Sequence, residues 1–111
     1  MPEARLTADF WVSAYLRRLG LNDIPAYVTA KGDPTAGAVL VKVALLDGTA
    51  RAAHRIWDPM ADTRRWEVLA EGPEPEVDAA IARQRRYDPD LWVIEIEDRQ
   101  GRTLLGEAGL G

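Results

Sequence analysis

The chain has 111 residues, of which 47% are apolar and 29% are charged, and its formal net charge is −4. These values are typical of one folded domain, so we expect a single globular domain over residues 1–111, with frayed ends at 1–5 and 106–111. A net acidic chain argues against nucleic acid binding, and the lack of cysteine excludes disulfides, thiolate nucleophiles and zinc–sulfur sites. We find no signal peptide and no membrane-length apolar run, so we expect a cytoplasmic protein without membrane contact.

The first predicted element is an amphipathic helix from Thr7 to Gly20. Thr7 suits the N-cap, and Gly20 suits the residue that follows the last turn. Its apolar residues recur at helical spacing and are Val12, Tyr15, Leu16 and Leu19.

Four strands are predicted next, at Pro25–Ala30, Ala38–Leu46, Thr49–Trp57 and Arg65–Ala70. The second is almost continuously apolar, which favours a central strand that is covered on both faces. Asp47-Gly48 is a strong two-residue hairpin signal, and residues 58–64 are predicted to form a loop.

A second helix is predicted to end at about Tyr87, because its acidic start and basic end match the helix dipole and Asp88-Pro89 stops it. Leu91–Glu97 is a predicted strand, and Arg102–Leu105 is a weak final one. The expected fold is α+β, a single antiparallel sheet of five to six strands with two helices on one face, in the order α-β-β-β-β-α-β(-β).

The charged stretch RRYDPDLWVIEIED around the last long strand raises the question of an active site. Alternation predicts a core face that consists of Trp92, Ile94 and Ile96. Glu95 and Glu97 point the other way, and we interpret them as solvated or as paired across strands with Arg51 and Arg55.

A polar patch is predicted just before that strand, and its members are Arg83, Arg85, Arg86, Asp88 and Asp90. One interpretation is a helix stop in which the carboxylates bond to backbone amides or pair with the arginines. The other is a site that binds an anion through the arginines or a divalent cation through the two aspartates, although two carboxylates are too few for a calcium cage.

No catalytic constellation is present, and we assign no catalytic, cofactor-binding or metal-ligating residue. His54 and Ser13 are each the only residue of their type, and neither lies in a catalytic motif. Lys42 interrupts the most apolar strand, so we expect it to reach solvent or an acidic partner; a desolvated lysine for Schiff-base chemistry is the alternative. No glycine forms a phosphate-binding loop.

The apolar side chains of the central strand predict an interaction surface that comprises Leu40 and Leu46, together with Trp11 on the first helix. If both helices cover one face of the sheet, the other face needs a partner, and a second copy of the chain is the simplest one. The four tryptophans are otherwise interpreted as core residues. Neither Arg64–Arg65 nor the arginines of the second helix alternate with aromatic residues as in a stacking platform.

Four motifs occur in order along the chain and are FWVSAYLRR, GDPTAGAVLVKV, LDGTA and YDPDLWVIEIEDRQGR. Together they resemble a group of small alphaproteobacterial proteins, domain-of-unknown-function family 1491, from about residue 5 to about residue 105. The resemblance implies a compact single domain of cytoplasmic bacterial origin. It implies no activity and no site residues.

The sequence therefore favours a small non-enzymatic interaction module that self-associates, with an unknown protein partner, no nucleic acid and no cofactor. The alternative is a protein or enzyme that binds a small ligand or an anion. Its polar site would lie at the end of the second helix and the following strand, with Lys42 or Glu95 as further members.

Overall fold

The computed structural model describes residues 6–107, which form two helices and five strands. The helices are α1 (Ala8–Leu21) and α2 (Glu74–Tyr87), and the strands are β1 (Ala26–Ala30), β2 (Val39–Ala44), β3 (Thr49–Asp58), β4 (Thr63–Pro73) and β5 (Trp92–Glu97). The predicted α+β class and the order α-β-β-β-β-α-β are confirmed. The weak final strand at Arg102–Leu105 does not form. Instead, Asp98 accepts hydrogen bonds from the backbone and guanidinium of Arg102 and ties this segment into a loop.

The five strands form one sheet in the order β1-β5-β2-β3-β4. Three neighbouring pairs are antiparallel, but β2 and β5 are parallel, so the sheet is mixed and not wholly antiparallel as predicted. The reason is α2, which lies between β4 and β5 in the chain. A helical crossover of this kind returns the chain in the same direction beside an earlier strand.

One face of the sheet packs on α1. Alternation along β5 turns Trp92, Ile94 and Ile96 towards this side, which confirms the predicted core face of that strand. The corresponding side chains of β2 join them and are Val39, Val41 and Val43. The buried α1 residues of this cluster are Ala8, Trp11, Val12, Tyr15 and Leu19.

The opposite face packs on α2. Leu40 of β2 and Val93 of β5 lie there in one buried cluster with Val77 and Ile81 of α2. The prediction that both helices lie on one face is therefore wrong. Because β2 is apolar on both sides, each side needs a cover, and the chain supplies one helix for each.

The two helices do not cover equal parts of the sheet. α2 packs on β3 and β4, whereas α1 contacts β1 at the other edge. On the α1 side, the outer part of the β3–β4 hairpin therefore extends beyond the helix. Within residues 6–107, no helix has both the length and the apolar character that crossing a membrane requires.

Candidate functional site: a groove beside the outer hairpin

Two arginines and two tryptophans form a checkerboard on the α1 face of the β3–β4 hairpin. Residues on one side of a strand alternate, so Arg55 and Trp57 lie on this face of β3, and Arg64 and Trp66 on this face of β4. Arg55 is directly opposite Trp66, and Trp57 is directly opposite Arg64. We call these four residues the Arg–Trp grid.

Trp11 of α1 extends the grid towards the core. Its ring lies 4.9 Å from the ring of Tyr15 and 5.9 Å from that of Trp66. The guanidinium of Arg55 lies over both indoles, 5.0 Å from the Trp11 ring and 5.5 Å from the Trp66 ring. Arg55 is thus held against two aromatic faces, an arrangement that favours a cation and fixes its position.

The surroundings of Arg55 oppose its positive charge. Burial lowers the pKa of Arg55 from its usual value, and the nearby charge of Arg64 lowers it further. The Arg55 guanidinium nevertheless stays charged at neutral pH, because arginine has such a high intrinsic pKa. Two like charges therefore face the same space, and an anion placed there is attracted by both.

A cavity of about 550 Å³ lies beside the grid, bounded by the start of α1, the turn at residues 34–37 and the outer hairpin. A second cavity of about 240 Å³ adjoins it. Arg55, Trp57 and Arg64 line both cavities. The larger volume lies within the range of about 300–1,000 Å³ that is usual for small-molecule sites. We call this space the grid groove.

A hydrogen-bonded turn forms another wall of the grid groove. The carboxylate of Asp33 accepts hydrogen bonds from the backbone amides of Thr35 and Ala36 at 3.2 and 2.7 Å. Trp92 donates its indole N–H to the Asp33 carbonyl at 2.8 Å, and the Asp33 amide donates to the Asp90 carbonyl at 3.0 Å. These bonds preform the wall before any ligand arrives.

Two glycines allow the same wall to pack against the 88–92 turn. A Cβ added to Gly37 would lie 2.5 Å from the Asp90 carbonyl oxygen, and one added to Gly32 would clash with that oxygen more severely. The segments with the sequences GDPTAG and DPDLW therefore pack closely against each other, and together they position one side of the grid groove.

The start of α1 adds no free backbone donors to the groove. The Ala8 amide donates to the Thr35 carbonyl, the Asp9 amide to the Pro34 carbonyl, and the Phe10 amide to the Asp9 carboxylate. The positive charge of the groove therefore comes from its two arginines, and Asp62 on the rim partly offsets it. Within residues 6–107, no group of three or more His, Cys, Asp or Glu side chains is arranged to hold a metal ion.

The predicted polar patch after α2 does not line either cavity. Arg83, Arg86 and Asp90 are exposed. The carboxylate of Asp88 accepts a hydrogen bond from the Asp90 amide at 3.2 Å. Arg85 donates to two backbone carbonyls, those of Pro89 and Lys31. The patch thus has the geometry of a helix stop, the first of the two interpretations.

Lys42 and Glu95 lie near the start of α2, not near its end. The Lys42 ammonium is within 2.7 Å of Glu74, 2.7 Å of Asp78 and 3.0 Å of Glu95. Burial acts to lower the pKa of Lys42, but the hydrogen bonds to Asp78, Glu74 and Glu95 outweigh it and raise the pKa above its usual value. The expectation of an acidic partner for this lysine is confirmed.

The proposed pairing of Glu95 and Glu97 with Arg51 and Arg55 is wrong. Glu95 lies opposite Lys42 on the α2 face, whereas Arg51 lies opposite Val43 on the α1 face. The sheet separates these groups, so they cannot meet.

Two of the three residues predicted for an interaction surface are buried. Leu40 lies under α2 with no exposed surface, and Trp11 is 5% exposed within the α1 core. Leu46 is exposed, but it lies in the β2–β3 turn with a positive φ of 63°. These three residues therefore do not form one surface.

The grid was not predicted from the sequence, because a loop at residues 58–64 would leave Arg64 outside the strands, whereas β4 begins at Thr63. The signal is present as two short patterns, Arg-x-Trp at Arg55–Trp57 and Arg-x-Trp at Arg64–Trp66. Only the hairpin register brings the two patterns side by side.

Comparison with known proteins places this chain in a family. A family model described as "Protein of unknown function (DUF1491)" matches residues 6–106. The chain belongs to the DUF1491 family. This confirms the resemblance seen in the four sequence motifs.

Three solved structures resemble this DUF1491 protein. A crystal structure of a family member from Caulobacter crescentus is 45% identical, with a TM-score of 0.80, and the match covers 92% of this chain and 94% of that one. An NMR structure of a family protein from the same organism is 44% identical, with a TM-score of 0.81 and coverage of 95% and 96%. A solution structure of a protein from A. tumefaciens is 36% identical, with a TM-score of 0.71 and coverage of 85% and 86%. A search of curated proteins gave no significant match.

Proposed function

We propose that this DUF1491 protein binds a small organic anion in the grid groove. The observation that carries the proposal is the position of the Arg–Trp grid, which places two guanidinium groups and an exposed indole beside a cavity of about 550 Å³. Such a combination of a concave space and a few convergent polar groups is typical of ligand sites.

Arg64 is the side chain that most directly supports anion binding. It is exposed, it lines both cavities, and it forms no ion pair with any residue between 6 and 107. Its neighbour Arg65, on the other side of the same strand, pairs with Asp58 at 3.2 Å. A planar guanidinium suits two-point recognition of a carboxylate or phosphate.

A small anion fits the charge of this protein better than a nucleic acid strand. The chain carries a formal net charge of −4, so a long polyanion would be repelled by most of the surface. Arg55 and Arg64, by contrast, line a cavity of a size that fits one small molecule.

The test is an NMR titration of the full chain with phosphate, citrate and a set of small organic anions at low ionic strength. We expect saturable shifts of the Trp57 indole N–H signal, which a Trp57→Phe variant identifies among the four indole signals. Arg64→Ala should abolish these shifts.

Two control variants keep the total charge the same as in Arg64→Ala. Arg65→Ala removes an arginine on the opposite side of the same strand, and Arg86→Ala removes one from the patch at the end of α2. Both should retain binding. If the Arg86 variant loses binding and the Arg64 variant keeps it, the site lies at the end of α2 and the proposal is wrong.

Self-association stays a prediction, but its original argument no longer applies because α2 covers Leu40. A second copy would have to use another exposed apolar side chain, and Tyr27 and Val68 on the two edge strands are examples. Sedimentation velocity at tens of micromolar tests this, and a monomer at every concentration would refute it.

A further inference from the structure

We infer that the ligand of the grid groove carries a planar aromatic ring beside its anionic group. This inference rests on the proposed anion site and adds the chemical class of the molecule. It follows from the exposure of Trp57, from the position of Trp57 relative to Arg64, and from the turn at residues 34–37 that lines the same groove.

Core packing does not account for Trp57. Its side chain is 52% exposed, whereas Trp11 and Trp92 are 5% and 6% exposed. An indole has a large apolar surface, and leaving half of it in water forgoes stabilisation that burial would provide. In this fold, the exposed indole lines both cavities of the groove.

The register sets the spacing between the stacking surface and the charge. Trp57 and Arg64 are directly opposite on neighbouring antiparallel strands. Side chains in such a pair start about 4.5–5.5 Å apart at their Cβ atoms. A single small molecule can therefore stack its ring on the indole while its anionic group contacts the guanidinium, provided that only a short linker joins the two.

The turn at residues 34–37 leaves room for a flat ring. Ala36 and Gly37 line both cavities, as Trp57 does, so the indole shares the groove with two residues whose side chains take up little space. The Asp33 hydrogen bonds hold this turn in place. A ring that enters is contacted by the indole and by a preformed wall, with little loss of protein freedom on binding.

Two matched ligand pairs test the inference by isothermal titration calorimetry on the full chain. AMP is compared with ribose 5-phosphate, and benzoate with cyclohexanecarboxylate, so that each pair differs in the aromatic ring and keeps one anionic group. We expect the aromatic member of at least one pair to bind about tenfold to a hundredfold more tightly, the usual gain from stacking on an aromatic side chain. The pair that shows the larger gain tells whether the ring comes from a nucleotide or from an aryl carboxylate.

Variants of Trp57 separate stacking from charge. Trp57→Leu should abolish the preference, so that AMP and ribose 5-phosphate bind with similar affinity, and Trp57→Phe should restore part of the preference. Arg64→Ala should weaken both members of each pair.

The outcomes distinguish the preference for an aromatic ligand from the proposal that the groove binds an anion. Equal affinities within each pair in the wild type, with binding still lost in Arg64→Ala, would overturn the aromatic class and leave anion binding intact. A lack of binding by all four compounds and by inorganic phosphate would overturn both.

Discussion

Lys42 and Arg64 are cations on strands of the same sheet, yet their surroundings are opposite in kind. The side chain of Lys42 is 5% exposed, and three carboxylates lie within 3.0 Å of its ammonium group. Arg64 is exposed, and it borders an open cavity. The Lys42 cluster is rich in charge but already satisfied, so it holds α2 on the sheet, whereas Arg64 still has room for a partner. Charge density alone therefore does not identify a binding site, because a dense cluster such as that of Lys42 can be fully paired within the fold.

The largest expected effect is that of Lys42→Met on stability. Removal of the ammonium leaves Glu74, Asp78 and Glu95 close together without their shared cation. Because these carboxylates remain partly hydrated, we expect a loss of about 2–4 kcal/mol in the free energy of unfolding, less than for a fully buried pair. Urea denaturation followed by circular dichroism measures it.

The matched control is Lys31→Met, which changes the only other lysine of the chain at an exposed position. This variant should remain within about 0.5 kcal/mol of the wild type. If the two variants are equally stable, the Lys42 cluster does not stabilise the fold. Lys42 would then not differ from Arg64 in having a structural role.

The next largest effect concerns the wall of the groove. Gly37→Ala places a Cβ 2.5 Å from the Asp90 carbonyl, so either the 34–37 turn or the 88–92 turn has to shift. We expect a loss of about 1–3 kcal/mol, the usual cost of overpacking, together with weaker ligand binding.

Gly20→Ala is the control for that change. No atom lies within 4 Å of the added Cβ, and Gly20 is in α1, where alanine is the better helix former. It should raise the stability by about 0.5–1 kcal/mol and leave binding unchanged. Equal affinity in the Gly37 and Gly20 variants would show that the turn does not shape the groove.

A smaller effect, dependent on pH, is expected at the closed ion pair between Asp98 and Arg102. Hydrogen bonds from the Arg102 side chain and backbone hold the pKa of Asp98 below its usual value. The folded carboxyl binds its proton at a lower pH than the unfolded one. The stabilisation is therefore present at neutral pH and is lost as the pH falls through the folded pKa.

Asp98→Asn should therefore destabilise the protein at pH 7, by about 1 kcal/mol, because the Asp98 carboxylate is buried but the side chain of its partner Arg102 is 47% exposed. The gap between wild type and variant should narrow when denaturation is repeated between about pH 5 and pH 2. A gap that widens with acid would reverse the assigned direction.

The smallest effect on stability is expected for Arg64→Ala. This variant gives the clearest test of the contrast between Arg64 and Lys42. The side chain is exposed and forms no ion pair within residues 6–107, so the free energy of unfolding should change by less than about 0.5 kcal/mol. Anion binding should nevertheless be lost. A clear loss of stability in this variant would mean that Arg64 is structural, as Lys42 is.

Much of the fold could be predicted because local signals agree with tertiary structure. Asp47-Gly48 lies in the β2–β3 turn as expected, with Gly48 at φ 91° and the Asp47 carboxylate accepting the Thr49 amide, although the connection spans residues 45–48 and not two residues. The direction of β5 could not be predicted in this way. Leu91–Glu97 has the same pattern whether it runs parallel or antiparallel to β2, and only the position of α2 between β4 and β5 decides it.

The grid groove could not be predicted from the sequence for a different reason. The Asp58 carboxylate accepts the Met60 amide and closes a short hairpin turn, so β4 begins at Thr63 and not at Arg65. That shift puts Arg64 into the strand opposite Trp57. Whether Trp57 and Arg64 lie opposite each other depends on the length of the turn between them. The hydrophobic pattern of the sequence does not indicate that length.

The interior position of β5, between β1 and β2, also affects how the protein folds during synthesis. Trp92, Ile94 and Ile96 complete the cluster under α1, and Leu91 and Val93 complete the one under α2. A ribosome has therefore released most of the chain before either cluster can close, and the apolar sides of α1 and β2 stay exposed until then. A polypeptide terminated before Trp92 would not be a smaller folded protein but a substrate for proteases and chaperones.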